Sequence, residues 1–328
     1  MIDFSGHRLA LDRKEKDSDL DFVSHAHSDH VSAAKSAKKI IASDETVQLL
    51  QAVRDIDTTG RIQSELPQGV QLIDANHILG SKQIVINDEQ NGIRLVYTGD
   101  YQMQESRASR RTETVSADIA IVDSTYPSPS VRFDERNAVE NDIQHWTSST
   151  LKTGIVLFGT YALGKAQELI MLLNEAGISP VVSKKISVVN SVYANNGIKL
   201  DYVSAYGDTD ADNVFRGNFV GVVENSALDA LSVSLTNFYN RKVFTAVATG
   251  MSKIYRFRTD AQFALSDHAD FSQCKEYLDA TAAKKVFTYG PNSAILAQNL
   301  KKDGYNARPL HKGENISLLE NVQMQKAD

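Results

Sequence analysis

Ser24-His25-Ala26-His27-Ser28-Asp29-His30 is the stretch on which the reading of this chain turns. It sets four metal-ligating side chains within six positions, and alternate side chains of an extended segment share a face. His25 and His27 can therefore grip one ion while Asp29 and His30 reach a second. Imidazole and carboxylate together favour zinc, manganese or iron over magnesium and calcium, which take oxygen shells. Only eight histidines occur in the chain, and three of them fall in this run. Residues 20–24 read as a short buried strand and residues 31–39 have helix-forming composition. The run is thus expected on a strand-to-helix loop, with Asp29 near the helix start.

Two ions need further ligands, and later strand ends can supply them. Residues 70–74 read as a strand followed by Asn76-His77-Ile78-Leu79-Gly80-Ser81, so His77 can complete the ion held by His25 and His27. Residues 93–97 form another apolar run, ending in Thr98-Gly99-Asp100, where a carboxylate could bridge both ions. Residues 117–122 lead in the same way into Asp123-Ser124-Thr125-Tyr126. Two more motifs follow. Gly159-Thr160-Tyr161-Ala162-Leu163-Gly164-Lys165-Ala166-Gln167 lies between a strand over 154–159 and helical periodicity over 163–176. Leu265-Ser266-Asp267-His268-Ala269-Asp270 precedes a helix over 271–280 that Ser266 or Asp267 could cap.

A chain of 328 residues suits two domains, or one domain with a large insertion. Its net charge of −6 excludes a global basic field, so a polyanionic partner would have to be held by local patches. Candidates are Arg107, Arg110 and Arg111, then Lys184 and Lys185, then Lys253, Arg256 and Arg258, with Tyr255 and Phe257 interleaved and able to stack on bases. Cys274 is the only cysteine, which excludes a disulfide framework and a thiolate cage and suits a reducing cytoplasm. The N-terminal residues lack a secretory pattern, and no apolar stretch approaches membrane-spanning length. A cytoplasmic protein is expected.

The order of these motifs resembles the metallo-β-lactamase-fold hydrolases, α/β proteins in which an αββα sandwich collects metal ligands at one edge. The Asp-Ser-Thr-Tyr, Gly-Thr-Tyr-Ala-Leu-Gly-Lys and Ser-Asp-His-Ala-Asp motifs resemble its β-CASP branch, which processes nucleic acid and carries an inserted α/β domain. That resemblance implies His25, His27 and His77 on one metal, Asp29 and His30 on the other, and Asp100 between them. Zinc is implied at both sites, with manganese as the alternative. The sandwich is expected over 1–145 and 246–328, and the inserted β-CASP domain over 146–245.

Displacement at phosphorus also needs a proton for the departing oxygen, which a histidine oriented by a carboxylate supplies well. His268 is therefore assigned as general acid and Asp123 as its partner, beside Asp29 and Asp100 in the metal centre. Tyr161, Gly164, Lys165 and Ser266 are the candidate substrate contacts. Around Gly164 a strand-to-helix junction offers free N–H groups and a helix dipole to phosphate, and Lys165 adds a cation.

One position departs from the pattern. In the RNA-cleaving branches a His-Gly pair follows the histidine motif and completes the second metal's shell. Here residues 285–290 read Lys-Val-Phe-Thr-Tyr-Gly, so Tyr289 stands where that histidine is expected. A neutral phenol is a poor ligand beside imidazole, and the second ion should bind more weakly. The motif wording is similar to ligase-associated DNA exonucleases, to Artemis-like nucleases and to messenger-RNA 3′-end-processing nucleases. A metal-dependent nuclease acting on DNA or RNA is implied, with DNA favoured. The alternatives are a catalytically silent nucleic-acid-binding scaffold of the same family and a small-molecule metallo-hydrolase. Many members dimerise, and a homodimer is an expectation here too, although no heptad or apolar stripe marks an interface.

Overall fold

The computed structural model describes residues 1–206 and 211–318. The chain divides into two compact units. The first comprises Met1–Met103, Ser109–Arg132 and the chain from His268 onward; the second comprises Gln104–Ala108 and Phe133–Asp267. Among the described residues no helix is long and apolar enough to cross a membrane.

The first unit is a sandwich of two sheets. One has five strands in the order Ile316–Ser317, Ile2–Phe4, His7–Leu11, Leu20–Phe22 and Ile40–Ile41. The other has six, in the order Ala307–Pro309, Lys285–Tyr289, Ile119–Asp123, Ile93–Tyr97, Lys82–Asp88 and Val70–Asp74. Strand alternation decides the packing. Ile119 and Ile121 join Leu95, Tyr97, Ile84 and Ile86 in a core shared with Ile2, Leu9 and Phe22 of the facing sheet. Ala120, Val122, Val96 and Val85 turn the other way, onto the helices Phe271–Thr281 and Ser293–Lys302. A sheet covered on both faces explains why its strands read as nearly continuous apolar runs.

The second unit is an all-parallel six-stranded sheet in the order Val203–Ser204, Val181–Val182, Val220–Glu224, Ile155–Thr160, Val243–Ala248 and Ala261–Phe263. Its central strand, Ile155–Thr160, is buried at all six positions. Val156 and Phe158 pack toward the helices Arg136–Thr150 and Lys165–Glu175, while Ile155 and Leu157 pack toward Leu228–Tyr239.

The fold class is the expected one, and three local expectations change. The insert begins near 133 and ends at 267 rather than spanning 146–245. Arg136–Thr150 packs on the inserted sheet, and Val243–Ala248 pairs with Ile155–Thr160 inside that sheet instead of resuming the sandwich. Residues 31–39 form turns and no helix. A segment this short gains little from helix propagation, and the Arg61 guanidinium takes the Ala34 and Ala37 carbonyls at 2.7 and 3.3 Å. Finally, Asp270, not Ser266 or Asp267, caps Phe271–Thr281, accepting from Gln273 N at 2.9 Å while the Gln273 side chain returns to the Asp270 N–H.

A buried ionic network ties the second unit together. Glu168 accepts from Lys165 Nζ at 2.9 Å, from Ser106 Oγ at 3.0 Å and from the Arg136 guanidinium. Burial pushes the Glu168 carboxyl up, but Arg136 and Lys165 outweigh it and hold it down at about 2. Because the folded pKa lies below the unfolded one, this stabilisation is full above the ordinary glutamate range and disappears as pH falls through about 2. Over that window it amounts to about 3 kcal/mol. Glu168→Gln should cost about 3–5 kcal/mol near neutral pH, because two buried cations lose the carboxylate they share. It should also flatten the acid limb of a stability-versus-pH curve. Chemical denaturation across that range checks both, and an unchanged acid limb would refute the assignment.

Candidate metal centre and acid pair

The candidate residues collect at one edge of the sandwich because the strands that carry them end there. Lys285–Tyr289, Ile119–Asp123 and Ile93–Tyr97 are mutually parallel, and Val70–Asp74 runs the same way across an intervening antiparallel strand. Their C-terminal ends deliver Tyr289, Asp123, Asp100 and His77 to the same side. The His25–His30 run arrives from the facing sheet, anchored where Lys82 N donates to Ser24 O at 2.9 Å. Gly99 permits this approach. It adopts φ 55°, and a Cβ there would lie 2.6 Å from the Ser24 Cβ. Behind His77, the Ser81 hydroxyl accepts from the His77 and Ile78 N–H groups at 3.0 and 3.3 Å, which fixes the turn.

Four ligand atoms form one compact set: those of His25, His27, His77 and Asp100 all lie within 4.8 Å of one another. Asp100 Oδ2 stands 3.6 Å from His25 Nε2 and 3.7 Å from His77 Nε2, and His77 Nε2 stands 3.0 Å from His27 Nδ1. His30 continues the array, with Nε2 3.3 Å from Asp100 Oδ2 and 3.7 Å from Asp29 Oδ2. Asp29 itself is 77% exposed. Asp29 is thus the open member of the run, while His30 is buried. A second set, Asp100, Asp123 and His268, also lies within 4.8 Å, with His268 Nδ1 3.0 Å from Asp123 Oδ2.

Asp12, which the sequence reading passed over, organises the centre. It is fully buried with φ 57°. Its Oδ1 accepts from Ser24 N at 2.6 Å, and its Oδ2 accepts from Ser24 Oγ, His30 Nδ1 and Tyr97 OH, each at 2.7 Å. Since the Ser24 hydroxyl proton goes to Asp12, the 2.9 Å contact between Ser24 Oγ and His25 Nδ1 requires the imidazole to donate. Asp12 therefore fixes the His25 tautomer through Ser24, leaving its Nε2 bare toward Asp100, and orients the His30 ring through Nδ1. The signal was available: Leu9-Ala10-Leu11-Asp12 is an acid at the end of an apolar strand, the pattern that singled out Asp100 and Asp123.

Electrostatics separate the two remaining acids. Burial opposes ionisation of Asp100, yet His30 and His268 hold its carboxyl well below the usual range. Asp123 moves up, pushed by burial and then by the Asp100 charge. His25 is driven well below the ordinary imidazole range, chiefly by burial and then by the neighbouring His30 and His77. It is the neutral form that coordinates metal. Burial also opposes a charge on His30, but Asp100 and Asp12 carry it well above 6.5.

These residues fit a bound divalent ion. His25 Nε2 is fully buried, has no hydrogen-bond partner and points into the four-ligand set. A buried bare imidazole nitrogen is costly unless it is coordinated.

No protein-family model matches the chain. It is 30% identical over 309 residues to a probable DNA ligase of Opitutus terrae, covering 90% of this chain and 29% of that protein. It is 28% identical over 188 residues to an RNase J-like protein of Methanocaldococcus jannaschii, covering 49% and 44%. A third relative, cleavage and polyadenylation specificity factor subunit 3-I of Arabidopsis thaliana, is 35% identical over 107 residues, covering 31% and 14%. The chain belongs to the β-CASP branch of the metallo-β-lactamase-fold family. It spans less than half the length of these three relatives. A solved structure from Enterococcus faecalis, of a protein of unknown function, shares the fold with a TM-score of 0.57 at 13% identity, over 92% of this chain and 81% of that one.

Within this β-CASP protein the other sequence candidates are placed as follows. Tyr289 ends its strand opposite Asp123, packs edge-on to Tyr97 with ring centroids 5.5 Å apart, and lies under the Arg13 guanidinium at 4.8 Å. Burial, then Asp12, pushes its phenol up to about 12, so it stays neutral. Tyr161, Gly164, Lys165 and Ser266 belong to the second unit. Tyr161 is 58% exposed. Lys165 is buried, bonded to Glu168 and 3.7 Å from Asp267, so it is not displayed as a free cation. The Gly164 N–H is already satisfied by Gln167 Oε1 at 2.7 Å, and the Ser266 carbonyl accepts from Arg136 Nη1 at 2.8 Å. The junction closes on itself. Its polar groups hold the fold of the second unit.

Proposed function

We propose that this chain is a metal-dependent nuclease that hydrolyses phosphodiester bonds in DNA or RNA, with DNA favoured. The observation that carries the reading is the coexistence, at one strand edge, of a three-histidine, one-carboxylate set and a separate histidine–carboxylate pair. Hydrolysis of a small ester or thioester needs only the first. A strong leaving-group oxygen base, as in a phosphodiester, needs the second as well.

His25, His27, His77 and Asp100 would hold the tighter ion, taken to be zinc, with manganese as the alternative. Asp29, His30 and Asp100 would hold a weaker one beside Tyr289. When bound, such ions polarise a phosphoryl oxygen and lower the pKa of the attacking water. Asp12 holds the imidazoles in ligating orientation. Asp123 fixes the His268 ring through Nδ1, which leaves the other ring nitrogen to protonate the departing oxygen.

A cleavage panel of end-labelled single-stranded and duplex DNA and RNA, run with zinc and with manganese, tests the reading. Absence of cleavage on every polymer would overturn it. The second metal's weakness has its own check. Tyr289→His should raise retained metal after dialysis from about one toward two ions per chain. Unchanged stoichiometry and affinity would show that Tyr289 does not limit that site.

A further inference from the structure

The segment between Gly250–Lys253 and the edge strand Ala261–Phe263 plays no part in the chemistry above. It reads Ile254-Tyr255-Arg256-Phe257-Arg258-Thr259-Asp260 and crosses the surface of the second unit. Its backbone is pinned. Gln262 Oε1 accepts from Phe257 N at 3.0 Å while Gln262 Nε2 donates to Ser252 O at 3.1 Å. Asp260 Oδ2 accepts from Thr245 N at 2.7 Å and Thr245 Oγ1 at 3.1 Å, and the Phe257 ring packs into the core. What this leaves outside is selective. Tyr255 is 58% exposed, and Arg256 and Arg258 are exposed and form no ion pair among the described residues. Of the neighbouring charges, Lys253 pairs with Asp134 at 2.7 Å, and Asp260, which lines the same hollow, is held by Thr245 and forms no ion pair with either arginine among the described residues. Beside the arginines opens a hollow of about 530 Å³ lined by Thr245, Arg256, Phe257, Arg258, Thr259 and Asp260.

We infer that this strap is a binding site for single-stranded nucleic acid, in which Arg256 and Arg258 take backbone phosphates and Tyr255 stacks on a base. Guanidinium forks suit phosphate oxygens, and an aromatic face accepts any base, so the site would hold strand without reading its sequence. Holding the backbone by the Gln262 clamp and the half-buried Phe257 lowers the ordering cost of binding. A duplex offers phosphates but no free base face, which makes single strands the better ligand. The inference rests on the nuclease reading for its biological sense, but its test does not.

Binding is measured by fluorescence anisotropy on the full chain in EDTA, using a long oligothymidylate, a long oligouridylate and a matched duplex. Arg256→Ala/Arg258→Ala should weaken strand binding at least tenfold and reduce the slope of log Kd against log salt by about 1.4. Arg256→Lys/Arg258→Lys should keep the slope. Tyr255→Ala should weaken single-strand binding about tenfold with the slope unchanged. In every variant, metal-loaded hydrolysis of a small aryl phosphodiester should stay at the wild-type rate. Unchanged Kd and slope in the double alanine variant would overturn the inference while leaving the nuclease reading intact. Arginine-dependent binding of polyglutamate, with strand binding unaffected, would overturn it in favour of an acidic protein partner. A wild-type chain that binds strand through these residues but cleaves none would support the strap and refute the nuclease reading.

Discussion

His27→Ala is expected to leave a folded protein with nuclease activity at background. His27 is half-buried at the mouth of the four-ligand set, so its loss opens no cavity in the core, and thermal unfolding should shift by only a few degrees. The chemical loss is much larger. Its Nδ1 sits 3.0 Å from His77 Nε2, and removing it takes one of three imidazoles from the four-ligand set, leaving two imidazoles and an Asp100 carboxylate that also faces His30. Metal content by plasma mass spectrometry should fall together with cleavage of an end-labelled strand, while circular dichroism stays native. Turnover that survives both the substitution and exhaustive chelation of the wild type would refute a metal-dependent mechanism.

His268→Ala should lower kcat by about 10²–10⁴-fold on a natural phosphodiester, with metal content unchanged. The substrate's leaving group is the diagnostic. A sugar alkoxide needs a proton as it departs, whereas p-nitrophenolate does not, so the loss should shrink to a few-fold on a p-nitrophenyl phosphodiester. Asp123→Asn should behave similarly but less severely, because the 3.0 Å contact to His268 Nδ1 orients the ring without touching the reacting atoms. Equal losses on both substrates would show that His268 does not act as the acid and would point instead to a ligand role with Asp100 and Asp123, which share its 4.8 Å set.

The ligand run, the strand-end acids and the Asp123 and His268 motifs were legible because each couples a chemically distinctive side chain to the end of a short apolar run. Asp12 follows the same rule, yet a lone aspartate after Leu9-Ala10-Leu11 carries no mark of its own; only the convergence of Ser24, His30 and Tyr97 on its carboxylate reveals what it does. Lys165 shows the opposite error. A lysine at a helix start resembles a phosphate ligand, but Glu168 one turn later and Asp267 far along the chain neutralise it in the interior. The boundary of the insert shifted for a related reason. Val243–Ala248 is an apolar strand whichever sheet takes it, and its pairing with Ile155–Thr160 is a long-range fact.

The sequence alone determined the fold class and singled out the candidate ligands His25, His27, His77, Asp29, His30 and Asp100, since both follow from residue type and order. Tertiary structure decided which polar groups are spent on each other and which face outward. That distinction depends on burial and on partners distant in the chain. It turned Lys165 into part of a buried ionic network, made Asp12 the residue that orients His25 and His30, and left Arg256 and Arg258 exposed beside a pinned aromatic strap with no ion pair among the described residues.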